Sequence, residues 1–206
     1  KIWVVWEADR SGSDDDLYYN TYNGATWAGD AKLTGESVVD EILPNIFQAE
    51  NKTIWVTFSS NRMDDMDIYL KTAKSLVDAA VVSVTTSSAY AYRGYGTRVY
   101  VTLRNFGTST LTFPVNAYYN GNVIGTQTVT NLGPDQVTTL TFTWRATGVP
   151  LSNCTISAAT GTISGEEDPS DNSLTNGIVE VRIPGDVTGD IWVDMQDISI
   201  LIDSFM

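Results

Sequence analysis

Apolar and polar residues alternate with period two along most of the chain, in short runs broken by turn residues, which predicts half-buried β-strands. Over the first 76 residues the pattern repeats. Ile2-Trp-Val-Val-Trp6, then Asp9-Arg10, then Asp16-Leu-Tyr-Tyr-Asn-Thr21 recurs as Ile54-Trp-Val-Thr-Phe58, Asn61-Arg62 and Asp67-Ile-Tyr-Leu-Lys-Thr72, offset by 52 residues in the first strand and 51 in the second. Between the copies, Tyr22-Asn-Gly-Ala-Thr-Trp27 carries an Asn-Gly turn signal, and Ile42-Leu-Pro-Asn-Ile46 predicts an edge or entry strand with a proline at its margin. Strands this short bury no core alone, and a period near 50 residues is that of radially repeated sheets.

From residue 77 to 184 the alternation continues without the repeat. Val82 and Val84, then Val99, Val101 and Leu103, Val115, Ala117 and Tyr119, Leu140, Phe142 and Trp144, Cys154, Ile156 and Ala158, and Val179, Val181 and Ile183 are the expected inward positions. Thr139, Thr141 and Thr143 supply one solvent face, where β-branching suits the pleat. Asn120-Gly121 marks a tight hairpin and Leu132-Gly-Pro-Asp135 a wider turn. About seven strands in this length is the rhythm of a two-sheet, immunoglobulin-like sandwich. The connecting stretch Lys71 to Asp78 has no Gly/Pro run, so a short joint with limited hinge freedom is expected.

The period changes at the C-terminus. Pro184-Gly185 separates a last unit, 185–206, in which Asp186, Thr188, Asp190, Asp194 and Asp197 occupy positions 1, 3, 5, 9 and 12 of a twelve-residue loop and Trp192 offers a backbone carbonyl at position 7. That spacing wraps a hard cation, calcium above all. Ile198, Leu201, Ile202 and Phe205 follow on one helix face, and Val193 at position 8 is expected to tuck inward. Ile191 stands at position 6, where a sharp turn favours glycine, so a weak site in the range of roughly 10⁻⁴ to 10⁻³ M is expected. An acidic cap ahead of an amphipathic helix is the competing reading.

The fold class expected is therefore all-β: a partial β-propeller-like repeat sheet (1–76), an immunoglobulin-like β-sandwich (77–184), and a short C-terminal calcium loop and helix (185–206). Charge narrows the functional classes. The 206 residues hold 12 Lys and Arg against 25 Asp and Glu, a net charge of -13, and no histidine. A nucleic-acid backbone or an anionic bilayer is thereby disfavoured as partner, and the commonest neutral-pH general base and zinc ligand are missing. No apolar run is long enough to span a membrane. The chain starts inside a strand-like pattern, so it is expected to be a piece of something longer. The single cysteine, Cys154, falls at an inward position and is expected to be a buried thiol.

Several polar clusters admit two uses. Asp14-Asp-Asp16 and Asp64, Asp65 and Asp67 are cation candidates, more simply solvated turns. Arg10 and Arg62, one turn ahead of Asp16 and Asp67, are expected to hold each hairpin through an Arg–carboxylate pair. Trp3, Trp6, Trp27 and Trp55 are either a glycan-stacking surface or, as the Trp3/Trp55 recurrence favours, core packing between repeats. Glu166, Glu167 and Asp168 with Asp171 and Asn172 either bind calcium or cap a hairpin. Asn51 and Asn153 begin sequons and permit glycosylation of an exported chain. Tyr90, Tyr92 and Tyr95 are a candidate polysaccharide contact.

Three resemblances add to this reading. The Trp-rich strand, the Asp/Asn-Arg turn and the strand beginning Asp-Leu/Ile-Tyr resemble sialidase-like or TolB-like β-propeller repeats of archaeal and bacterial surface proteins, without the Asp-box of true sialidases. Val101-Thr-Leu-Arg-Asn-Phe-Gly107, Phe113-Pro-Val, Tyr119-Asn-Gly-Asn-Val-Ile-Gly125, Leu132-Gly-Pro, Phe142-Thr-Trp144 and Gly165-Glu-Glu-Asp-Pro-Ser-Asp-Asn172 resemble the CARDB (cell-adhesion-related) domain over about 77–184. The segment 186–206 resembles the first half of a type I dockerin repeat. Together these imply a non-catalytic structural or adhesion region of a large extracellular or cell-surface protein, with neighbouring modules, other surface proteins or a cohesin-like domain as partners. Two alternatives stay open: the accessory end of a secreted hydrolase or protease, and a carbohydrate-binding module.

Overall fold

Among the described residues, alternation becomes pairing in fourteen strands: β1 (Ile2–Ala8), β2 (Asp16–Tyr22), β3 (Ala31–Lys32), β4 (Glu41–Gln48), β5 (Ile54–Ser60), β6 (Asp67–Ala73), β7 (Ala79–Thr86), β8 (Tyr90–Tyr92), β9 (Gly96–Asn105), β10 (Leu111–Tyr119), β11 (Asn122–Leu132), β12 (Val137–Arg145), β13 (Asn153–Thr160) and β14 (Ser173–Arg182), followed by one α-helix, α1 (Met195–Asp203). The computed structural model describes every residue except Ser11, Ser13, Glu36, Ser37, Val38, Asp64, Phe205 and Met206. The chain forms two compact units, one of residues 1–78 with 106–109 and 165–168, the other of 79–105, 110–164 and 169–206.

The first unit contains two three-stranded antiparallel sheets, β1-β2-β3 and β4-β5-β6. Each copy of the repeat builds the same hairpin and the same aromatic pair. Trp6 stacks on Tyr18 at 6.3 Å between ring centroids, and its counterparts Phe58 and Tyr69 stack at 6.0 Å. Over each pair lies the repeated arginine, Arg10 at 4.3 Å from the Tyr18 ring and Arg62 at 4.2 Å from Tyr69. The predicted edge strand is β4, and its irregularity between Ile42 and Asn45 falls at Pro44, which has no N–H to donate.

The carboxylates correct several expectations. Asp14 and Asp16 are buried, not solvated, and Asp16 meets Lys32 at 2.5 Å. Asp65 and Asp67 are exposed, and Asp64 lies outside the described residues. Both arginines find carboxylates: Arg10 pairs with Asp30 at 2.8 Å and Arg62 with the buried Glu41 at 2.7 Å. Trp3 stacks on Tyr19 at 5.6 Å, whereas Trp27 and Trp55 stay exposed, so recurrence of the residue did not bring recurrence of its burial. Glu167 and Asp168 are engaged by lysines, Lys1 at 2.8 Å and Lys52 at 3.0 Å, which favours the structural use of that acidic loop.

The second unit holds the two sandwich-like sheets, β12-β9-β7 and β11-β10-β13-β14-β8. Their inward faces bury Val84, Val99, Val101, Leu103, Val115, Ala117, Ile156 and Cys154. Cys154 is thus a covered thiol, and burial pushes it above its usual range. Asn120 (φ 45) and Gly121 (φ 80) form the tight turn between β10 and β11, since both positions of such a hairpin need positive φ. Val82 departs from the expected pattern: a register shift between Val81 and Ser83 turns it outward while Val84 stays inside. The second strand of this unit, β8, is short and pairs parallel with β14, so no hairpin signal announced it.

Two stability predictions follow from burial. Arg62→Ala strands Glu41 in the interior and is expected to cost about 3–5 kcal/mol. Arg10→Ala, at an exposed pair, is expected to cost about 1 kcal/mol or less; urea unfolding followed by tryptophan fluorescence separates them, and equal costs would refute the difference. In the sandwich, Leu103→Ala is expected to cost about 2–5 kcal/mol and the solvent-face change Thr141→Ala within about 0.5 kcal/mol, read from urea unfolding by circular dichroism.

Candidate functional site

The C-terminal loop is organised by its own aspartates. Asp186 accepts hydrogen bonds from the Gly189 N–H at 2.7 Å and the Ile191 N–H at 3.0 Å, and Asp190 accepts from the Trp192 N–H at 2.9 Å. This folds the chain back sharply, and Ile191 adopts φ 74, the left-handed region in which a β-branched side chain is strained. Asp194 then caps α1 by accepting from the Gln196 N–H at 2.8 Å, and Asp197 completes a capping box by accepting from the Asp194 N–H at 2.9 Å.

Asp197 is the hub. Its other oxygen accepts from the Val187 N–H at 2.8 Å, the Thr188 N–H at 2.9 Å and the Thr188 hydroxyl at 3.1 Å. The carboxylate is buried, and the N–H groups of Thr188, Asp194 and Val187 hold its pKa down to about 2. Of the predicted ligand set, the structure thus brings Asp186, Thr188 and Asp197 together, with the Thr188 hydroxyl 3.4 Å from Asp186 and 3.1 Å from Asp197. Asp190 and Asp194 are turned to the N–H groups they cap, and the Trp192 side chain is exposed. Among the described residues no group of three or more His, Cys, Asp or Glu side chains stands ready to hold a metal ion. Val193, expected to tuck inward, is exposed, as are Ile198, Leu201 and Ile202; Phe205 lies outside the described residues.

Beside the loop runs a row that sequence reasoning missed. Parallel pairing sets Glu180 beside Tyr90 and Arg182 beside Tyr92, with Ala91 and Val181 buried beneath. Arg182 pairs with Glu180 at 2.8 Å and lies 3.7 Å from the centre of the Tyr90 ring, taking one face on which a sugar would stack. A cleft of about 440 Å³ lies between this strand and the loop, lined by Asn153, Glu180, Arg182, Asp186 and Ile191 among others. Tyr95 is exposed on the turn that follows β8. Of the sequon residues, Asn153 is exposed at the start of β13, while Asn51 sits half-buried in a turn and accepts from the Thr53 N–H at 3.2 Å.

The depressed pKa of Asp197 has a pH consequence. Its folded value near 2 lies below the unfolded value of about 3.9, so the order it confers is complete above about pH 4 and is lost as pH falls through 2. The amide signals of Val187, Thr188 and Asp194 are expected to titrate together with a midpoint near 2 by NMR. A midpoint near 4 would contradict the hydrogen-bonded carboxylate.

Against this geometry, the profile of the CARDB family matches residues 77–176. The crystal structure of the CARDB domain of a Pyrococcus furiosus protein, in complex with di-metal ions, is 23% identical over 53% of this chain and 92% of that one, with a TM-score of 0.45. A domain of a Methanosarcina acetivorans protein described as a cell surface protein is 24% identical over 52% of this chain and 93% of its own, with a TM-score of 0.43. The solution structure of the Pyrococcus domain gives 23% identity, coverage of 52% and 96%, and a TM-score of 0.42. A search of curated proteins finds no match. The stretch from the end of the first unit's sheets into β14, residues 77–176, is thus the part of the chain that matches the CARDB family.

Proposed function

We propose that this chain is a non-catalytic structural or adhesion stretch of a modular cell-surface protein. The CARDB domain serves as its spacer or adhesion module, the first two sheets belong to a propeller-like array of repeats, and calcium locks the C-terminal loop. The observation that carries the reading is the CARDB match across residues 77–176, a family of adhesion-related domains. The chain's lack of histidine and its net charge of -13 agree with a module that meets salt and cations rather than one that moves protons. The Methanosarcina protein is described as a cell surface protein, and the location proposed for this chain is the same.

The loop's course supports the calcium part. A left-handed residue at position 6, an aspartate at position 1 bonded to the amides of positions 4 and 6, and a helix capped from position 9 are the backbone turns that a twelve-residue calcium loop needs. Asp186, Thr188, Asp190, Asp194 and Asp197 would supply side-chain oxygens and Trp192 its carbonyl. Calcium would draw Asp197 from the Val187 and Thr188 amides, and Asp190 and Asp194 from the amides they cap.

Calorimetric titration of the chain with calcium is expected to give a dissociation constant of roughly 10⁻⁴ to 10⁻³ M, abolished by the double substitution Asp186→Asn/Asp190→Asn. Ile191→Gly is expected to tighten binding about fivefold, the equivalent of relieving ~1 kcal/mol of backbone strain. Equal uptake by wild type and the double variant, or no uptake by either, would sink the assignment.

A further inference from the structure

Three charged side chains far apart in sequence meet inside the first unit. Lys52 Nζ lies 3.2 Å from Asp78 Oδ1 and 3.0 Å from Asp168 Oδ2, and the centre of the Phe106 ring sits 5.0 Å from the same nitrogen. All four residues belong to that one compact unit. Asp78 is 1% exposed, and Lys52 and Asp168 are each 21% exposed.

The backbone is shaped to hold this meeting. Lys52 adopts φ 61, a left-handed conformation that L side chains rarely take, in a turn where its N–H donates to the Ala49 carbonyl at 2.9 Å. Asp78 is fixed through its carbonyl, which accepts from the Phe106 and Gly107 N–H groups at 2.7 and 3.1 Å. A Cβ on Gly107 would meet the Leu76 carbonyl oxygen at 2.6 Å, so glycine is what lets the backbone come so close. The Glu167 N–H donates to the Val77 carbonyl at 3.2 Å, which brings the acidic loop of Asp168 alongside Asp78.

A buried ion pair by itself adds little stability. A lysine set against one covered carboxylate, with a second carboxylate within reach, is also the arrangement of a nucleophile, an electrophile and a proton carrier. We propose that Lys52 and Asp78 condense to an amide, an isopeptide cross-link that this site forms by itself. Burial disfavours both charges, so the ammonium proton passes to the Asp78 carboxylate and leaves a neutral amine beside a neutral acid. Nζ attacks Asp78 Cγ and the N–C bond forms. Asp168 accepts a proton from the nitrogen and returns it to the departing hydroxyl, the C–O bond breaks, and water leaves. No oxidant or other reactant is consumed. Lys32 and Asp16 also touch, at 2.5 Å, but Lys32 is 42% exposed and water keeps its ammonium charged, so no bond is assigned there.

The cross-link closes residues 52–78 into a loop that contains β5 and β6. Tension along the chain then passes from Lys52 to Asp78 through their side chains and bypasses both strands, which suits a stretch of a cell-surface protein.

The intact mass of the folded, whole chain tests the bond. The wild type is expected to be lighter than its sequence by one water, and tandem mass spectrometry of a digest is expected to show the peptides of Lys52 and Asp78 joined. Lys52→Arg keeps the positive charge but offers no amine that condenses, and is expected to retain the full mass. In Asp168→Asn, which removes the proton carrier, the lighter species is expected to be about tenfold scarcer or more. A wild type at the full sequence mass would mean an ion pair only and overturn the proposal, whatever the calcium titration shows. A lighter species whose joined peptides exclude Lys52 or Asp78 would overturn the assignment, and one equally abundant in Asp168→Asn would overturn the part given to Asp168.

Discussion

A three-stranded sheet has two faces and little interior, so each sheet of the first unit depends on what covers it. The stacking of the Leu17 side of the first sheet on the Ile54 and Val56 side of the second is the contact on which that unit rests. Those three side chains are buried, and all three are repeat positions. Their repeat counterparts on the outer faces, Ile68, Ile2 and Val4, are exposed.

The aromatic pair and its arginine perform a second repeated task. Trp6 with Tyr18, and Phe58 with Tyr69, stand on cross-strand positions where large rings reach each other, and the arginine lying over them ties the turn to the strands. The two sites diverge in the carboxylate. Asp30 is exposed and Glu41 is buried, so one geometry yields a weak surface pair and the other a buried charge that depends on its partner.

In the C-terminal loop, one carboxylate joins the two ends of the segment. Asp197 gathers amides from Val187, Thr188 and Asp194, which places the start of the loop against the first turn of α1. The same hydrogen bonds that lower its pKa hold positions 1, 3 and 12 near one another. A cation would compete with backbone N–H groups for that oxygen, which together with the strained Ile191 is the physical reason to expect a modest affinity.

The sequence by itself determined the local architecture: period-two runs became strands, the 52- and 51-residue offsets became two matching hairpins, Asn120-Gly121 became a two-residue turn, and Cys154 turned inward. These follow from alternation and turn chemistry, which act between near neighbours. The capping of α1 by Asp194 and Asp197 was legible for the same reason. Tertiary structure alone decided which faces were covered and which charges met. Trp55 repeats Trp3 yet lies exposed, Asp16 is buried in a run that looks solvated, and Arg62 reaches Glu41 across 21 residues. The bulge that turned Val82 outward and the parallel pairing that set Tyr90 beside Glu180 are likewise invisible to periodicity. In each case the outcome depends on a partner distant along the chain, and a pattern read residue by residue carries no information about what will lie opposite it.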